Sequence, residues 1–228
     1  MRPVRHTYHR YPNLGSYLYV AGIQYFLVQI LVALRFAPPY SLAHNTISDL
    51  GDTACGIFNN RPVCSPFHSL MNISFVVLGI SMVAGSILVY QGFVGRRALT
   101  IGFWAFGLGG LGVVLVGLFP ENTVPAFHGI GAALPFVIGN VGIIVLGFSL
   151  NVPTSLRRFT VLSGCVALIA LGFYASNRYL DLGEGGIERV VAYPQTIWMI
   201  IIGVYGLTHS RPGTPRLRHR TQGIAARS

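Results

Sequence analysis

The chain has 228 residues, enough for one soluble domain, but 52% hydrophobic and 10% charged residues with a mean hydropathy of +0.59 stand far from the roughly 25% charged residues of soluble domains. A water-soluble fold is excluded on that ground. The net charge of +10 would suggest nucleic acid if it formed one surface, but the basic residues lie between apolar runs, so a nucleic-acid partner is excluded as well.

Crossing a hydrocarbon core of roughly 30 Å takes about 18 to 25 apolar residues. Six stretches qualify: 16–36, 68–90, 99–119, 126–150, 159–176 and 190–207. They are continuous rather than alternating, rich in Gly, Ala and Leu, and too long for barrel strands. The expected fold is therefore all-α, a polytopic membrane protein with a six-transmembrane-helix bundle over 16–207, an N-terminal arm over 1–15 and a basic tail over 208–228.

The first run follows Arg2, Arg5 and Arg10, a pattern shared with signal peptides. Its apolar core is longer than theirs, and Arg35 stands where small cleavage residues would be needed, so a retained helix is expected. The loop 37–67 is long for so compact a membrane protein. It contains His44-Asn45-Thr46-Ile47-Ser48-Asp49-Leu50-Gly51-Asp52, then Cys55 and Cys64, which an oxidising exterior would join in a disulfide. Ser65 and Pro66 read as the N-cap and first position of the second helix, with His68 and Asn72 one turn apart on one face.

Pro120 ends the third run and Pro125 opens the fourth, leaving the short hairpin Glu121-Asn122-Thr123-Val124 before His128. Small residues one turn apart, Ala105 and Gly109 or Gly129 and Ala133, let helices approach closely in lipid. The third and fourth helices are therefore expected to be central, with Asn140 bonding across helices and Cys165 in the fifth run a small buried apolar residue. The fifth loop carries Asn177, Arg178, Asp181, Glu184, Glu188 and Arg189, and the tail from His209 is polar and expected to be disordered.

With six spans, one side receives both termini and the Arg96-Arg97 and Arg157-Arg158 loops, which hold no acid. By the positive-inside rule that side is cytoplasmic, which places both termini in the cytoplasm of a multi-pass plasma-membrane protein facing anionic lipid. The other side holds every acid: Asp49, Asp52, Glu121, Asp181, Glu184 and Glu188. Function is expected on that outer side. Several of these groups are also what helix N-termini favour on their own account.

Taken together, Asp49, His68, Glu121 and His128 are the residue types that hold a divalent metal or run general acid-base chemistry. No H-E-x-x-H spacing, nucleophile elbow or phosphate loop accompanies them, so no cofactor is specified. The leading expectation is a non-enzymatic protein that binds a lipid headgroup or small amphiphile through Ser48, Asp49, His68, Asn72, Glu121, His128, Arg178, Glu188 and Arg189. Arg178 and Arg189 would meet an anionic head. The alternatives are a metal-dependent lipid hydrolase using the four metal-type residues, and an accessory subunit packed against a membrane protein partner. No inverted repeat or broken helix pair is evident, which gives transport little support.

The segments Ile47-Ser48-Asp49-Leu50-Gly51, Gly117-Leu118-Phe119-Pro120 with His128-Gly129, and Gly186-Ile187-Glu188-Arg189-Val190 before Trp198 occur in an order that resembles the DUF998 family of multi-pass membrane proteins. The resemblance runs over about 16–207. It implies a six-helix membrane domain without an assigned activity, cofactor or substrate, with Asp49, Glu121, His128, Glu188 and Arg189 at family-like positions. The pair Cys55 and Cys64 and the length of the first loop have no match in that pattern.

Overall fold

A computed structural model describes residues 12–90 and 96–209. The arginines expected to mark the N-terminal arm and the basic tail lie outside the described residues. Within them, six helices are long and apolar enough to cross a membrane: Asn13–Ala33, His68–Tyr90, Arg97–Leu118, Pro125–Ser149, Thr154–Ala175 and Gly183–His209. These are the first to sixth helices below. The only sheet among the described residues is the antiparallel hairpin of β1 (Gly56–Phe58) and β2 (Arg61–Val63), closed by a disulfide between Cys55 and Cys64.

The helices extend past the apolar runs at polar ends. The fifth begins at Thr154 and takes in Arg157 and Arg158, and the sixth begins at Gly183, so Glu184, Glu188 and Arg189 belong to a helix and not to a loop. An apolar run marks only what lies in hydrocarbon. Arginine stems reach along a helix toward water, and acids in a first turn are favoured by the helix dipole. Ser65, expected to cap the second helix, instead donates its hydroxyl to Leu50 O at 2.7 Å and ties down the loop.

The third helix is the most buried of the six, with 56% of its apolar stretch covered by the rest of the protein. Its glycines make this possible. A Cβ on Gly112 would lie 2.3 Å from Gly131 O on the fourth helix, so the two backbones touch where any larger residue would part them. Gly129, two residues earlier on the fourth helix and so on another face, meets open space and is not part of the contact. The opposite faces carry large exposed apolar residues in helical register, Ile73, Ile80 and Ile87 on the second helix and Ile101, Trp104, Leu108 and Leu111 on the third, as expected of surfaces solvated by lipid. Inside, Tyr19, Phe106 and Trp198 form edge-on aromatic contacts, with Tyr19 Oη bonded to Ser86 Oγ and Trp198 Nε1 donating to Thr160 Oγ1.

Two helices are irregular at mid-depth. The fourth contains a π-helical segment, Leu134–Gly139, around Pro135, and the sixth carries Pro194 in its interior. Each proline removes an amide hydrogen from the helical ladder. Asn140, expected to bond across helices, donates Nδ2 to Phe136 O of its own helix at 3.0 Å, within reach of the turn that the π segment widens.

The glycine contacts predict a contrast. Gly112→Ala should destabilise the detergent-solubilised protein by about 1–3 kcal/mol through overpacking, whereas Gly129→Ala should be neutral or stabilise by about 0.4–1 kcal/mol through the unfolded state; thermal melting of both variants measures it.

Candidate functional site

The first loop folds over the end of the bundle where the second, fourth and sixth helices begin, and its closure rests on charge. Thr46 and Asn45 start a tight turn in which the Asp49 carboxylate accepts hydrogen bonds from Asn45 Nδ2 and Thr46 N. Arg61, the cation of the disulfide-bounded hairpin, then reaches the same carboxylate with Nε at 2.7 Å and Nη2 at 2.9 Å, while its Nη1 donates to Glu184 Oε2 at 2.6 Å. Asp49 is fully buried, the Arg61 side chain is 11% exposed and Glu184 is 28% exposed. One guanidinium thus ties loop, hairpin and sixth helix together.

The sixth helix meets the loop at backbone level. Gly183 has φ +74°, and a Cβ there would stand 2.1 Å from Ala43 O, so only glycine admits the loop this closely. Arg189 donates Nη1 to the carbonyls of Leu42, Asn45 and Gly185 and Nη2 to the Tyr40 hydroxyl. Glu188 accepts the amide of Ile47. Ser48 Oγ lies 3.0 Å from His128 Nε2 and 3.5 Å from Glu188 Oε1, and His128 Nδ1 lies 2.9 Å from Phe119 O. A carbonyl only accepts, so Nδ1 carries the proton and Nε2 is left to accept from Ser48.

The second loop comes alongside through Thr53 and Asn122, which exchange hydrogen bonds of 3.2 and 3.3 Å. This brings Glu121 to Asp49 and Asp52, and one oxygen from each of the three lies within 4.8 Å of the others. Asp52 is 1% exposed, yet neither of its carboxylate oxygens has a well-formed hydrogen bond, although the Asn122 backbone amide is close enough to ease its ionisation, and Glu121 Oε1 and Asn72 Oδ1 are likewise buried without a partner. Burial, then the charge of Asp49, pushes the Asp52 carboxyl up to about 7. Burial, then Asp52, raises Glu121 as well.

Of the residues expected to form the site, Asp49, Glu121, Ser48, His128, Glu188 and Arg189 gather at this end. His68 and Asn72 support the loop from beneath: His68 Nδ1 bonds Ser65 O and Asn72 Nδ2 donates to Gly51 O. Arg178 is exposed and enters no ion pair among the described residues. The two histidines and two carboxylates expected for zinc do not come together as one set: among the described residues the donors that converge are Asp49, Asp52 and Glu121, all carboxylates and without a histidine. Such donors suit hard cations such as Ca²⁺ or Mg²⁺. Of the two arginines expected to meet an anionic head, Arg189 has its Nη atoms on carbonyls and Tyr40, and Arg178 alone stays exposed.

Arg61, Asp52 and Tyr40 are central here but stand outside the residues the sequence selects. Arg61 is the single basic residue between the two cysteines, and Asp52 one of six acids in the chain, which are the signals that would have found them.

A family model described as Protein of unknown function (DUF998) matches residues 20–205. The chain belongs to the DUF998 family. Neither the curated proteins nor the solved structures compared with it contain a match.

Two outcomes follow from the geometry. Arg61→Met leaves the buried Asp49 charge uncompensated and should cost about 3–5 kcal/mol in thermal or denaturant unfolding, with Glu184→Gln costing less than about 1 kcal/mol because that partner is partly exposed. The Asp52 carboxyl titrates higher in the folded protein than its ordinary 3.8. Its contribution is therefore complete below pH about 4 and is lost as pH rises through about 7. In metal-free buffer, melting curves between pH 4 and 8 should show that loss, and Asp52→Asn should reduce it, the remainder coming from Glu121, whose carboxyl is also raised.

Proposed function

We propose that this DUF998 protein is a membrane-embedded binding protein that takes a positively charged group at its acid-bearing end, supplied by an amine-bearing lipid headgroup or a small amphiphile from the outer side. One observation carries this reading. The buried polar atoms left without partners among the described residues are mostly acceptors, with Asp52 Oδ1 and Oδ2, Glu121 Oε1 and Asn72 Oδ1 at this end, while Arg61 is committed to Asp49 and Glu184. A buried acceptor without a donor costs about 1–3 kcal/mol, more for a charged group, and an ammonium supplies three donors and a charge together. The reading keeps the amphiphile expected from sequence and reverses the sign of its head.

A second reading has its own support: the mutual spacing of the Asp49, Asp52 and Glu121 oxygens suits a divalent hard cation as the occupant. The two are separable. Native mass spectrometry of the purified protein against phosphatidylethanolamine and phosphatidylglycerol should show retention of the former, reduced at least tenfold in Asp52→Asn/Glu121→Gln. Equal retention of both lipids, unchanged in that variant, would remove the headgroup reading. Stabilisation by Ca²⁺ or Mg²⁺ that is reversed by chelator, in the absence of any lipid preference, would favour the divalent cation.

The outward direction of this end rests on the partition of arginines and acids between loops. Cysteines introduced singly at Arg96 and at Asp181, in a Cys165→Ser background that keeps the disulfide, test it on intact cells. An impermeant thiol reagent should label the Asp181 position and not the Arg96 position; the reverse pattern would invert the topology.

A further inference from the structure

The second and third helices run antiparallel, and glycine decides where they touch. A Cβ on Gly117 would stand 2.5 Å from Asn72 O, and one on Gly79 would stand 2.5 Å from Gly110 O, so toward the acid-bearing end the two backbones are in contact. Toward the other end that contact lapses. A Cβ on Gly107 would find nothing nearer than the Ser86 side chain, with Cβ at 3.6 Å and Oγ at 3.9 Å, which is ordinary van der Waals spacing. There the helices border a groove of about 460 Å³, within the roughly 300–1,000 Å³ of small-molecule sites.

The walls of the groove are hydrocarbon. Val83 and Ile87 of the second helix line it with Phe103, Trp104 and Leu108 of the third, and Ile138 of the π segment joins them. Two side-chain hydroxyls border it, and each already has a partner: Ser86 Oγ lies 2.9 Å from Tyr19 Oη, and Tyr90 Oη lies 3.4 Å from Thr100 Oγ1. Such a lining suits an alkyl chain and not a hydrophilic ligand. The groove opens toward lipid, where Trp104 is 60% exposed.

Charge marks one end of it. On the third helix, positions 97, 101, 104, 108 and 111 follow one another at alternating spacings of four and three, which places them on one face. Arg97 therefore heads the stripe whose later members, Trp104, Leu108 and Leu111, line the groove. It is exposed and enters no ion pair among the described residues. Leu108 lies about 16 Å further along the helix at 1.5 Å per residue, and the hydrocarbon of one leaflet is about 15 Å deep. A phosphate at Arg97 thus has its acyl chain alongside Trp104 and Leu108.

We infer that the groove seats one acyl chain of an anionic phospholipid, with Arg97 holding the phosphate at its polar end. A second copy of the chain is a poorer occupant. A two-fold axis along the membrane normal would lay the stripe against its own copy and set Arg97 beside Arg97, a like-charge contact that costs affinity, whereas a phosphate neutralises that charge. The site lies at the opposite end of the bundle from the Asp52 and Glu121 cluster, uses none of its residues and does not depend on what that cluster binds.

Trp104 supplies the readout, because the other tryptophan of the chain, Trp198, is fully buried. The full-length protein is reconstituted in phosphatidylcholine vesicles carrying increasing fractions of phosphatidylglycerol or phosphatidylcholine brominated on the acyl chain, and quenching of tryptophan fluorescence is measured. Brominated phosphatidylglycerol should reach half-maximal quenching at a mole fraction about fivefold lower than brominated phosphatidylcholine, the factor expected of one arginine near an anionic group. Trp104→Phe should remove most of the quenching by either lipid. Arg97→Gln, an exposed change, should bring the two lipids together. Gly107→Leu, whose side chain grows into the groove, should do the same with Arg97 intact, which separates a seated chain from headgroup attraction alone. Asp52→Asn/Glu121→Gln should leave the preference unchanged. Equal quenching by both lipids, a preference that survives Arg97→Gln or Gly107→Leu, or a preference lost in Asp52→Asn/Glu121→Gln would each overturn the inference. So would dimerisation, dependent on protein concentration, that abolishes the quenching.

Discussion

The contact on which the acid-bearing end depends is the guanidinium of Arg61 between Asp49 and Glu184. Asp49 is a fully buried carboxylate, and isolating such a charge from water costs several kcal/mol unless a cation meets it with good geometry. Arg61 meets it with two nitrogens and extends a third to the sixth helix. The hairpin and its disulfide hold Arg61 at that place, so a covalent closure nine residues long limits where the loop's key cation can go. The loop is docked because its charge is docked.

That commitment decides what the rest of the end offers. With Arg61 engaged by Asp49 and Glu184, and the Arg189 Nη atoms by backbone carbonyls and Tyr40, no ion pair reaches Asp52 or Glu121 among the described residues. Burial then raises the proton affinity of both carboxyl groups, helped by Asp49 beside Asp52 and by Asp52 beside Glu121. A surface that carries arginines in sequence is, in three dimensions, a surface of unsatisfied acceptors.

The six helices were legible because hydrocarbon imposes long uninterrupted apolar runs, and the disulfide because two cysteines share one loop. The helix ends were less so: the sixth helix begins seven residues before its apolar run, since Glu184, Glu188 and Arg189 are tolerated in a helix whose first turns lie under a polar loop. The grouping of Asp49, Glu121, Ser48, His128, Glu188 and Arg189 could be anticipated from their common side of the membrane. Pairing could not. Whether an arginine is free or bound depends on loop geometry, and the choice of Arg189 and Arg178 as ligands for an anion passed over Arg61, which supplies the clamp. The π segment was hidden for a similar reason, because Pro135 within an apolar run marks an irregularity without stating its form.

The central claim is that the docked loop leaves buried carboxylate oxygens in need of a cation. An experimental density map of the protein in lipid, at a resolution that resolves side chains and bound ions, tests it directly. The account predicts non-protein density within hydrogen-bonding or coordination distance of Asp52 and Glu121, with Arg61 still on Asp49 and Glu184. It would be contradicted by a map in which Arg61 or another protein donor turns onto Asp52 and Glu121 and no density lies between them.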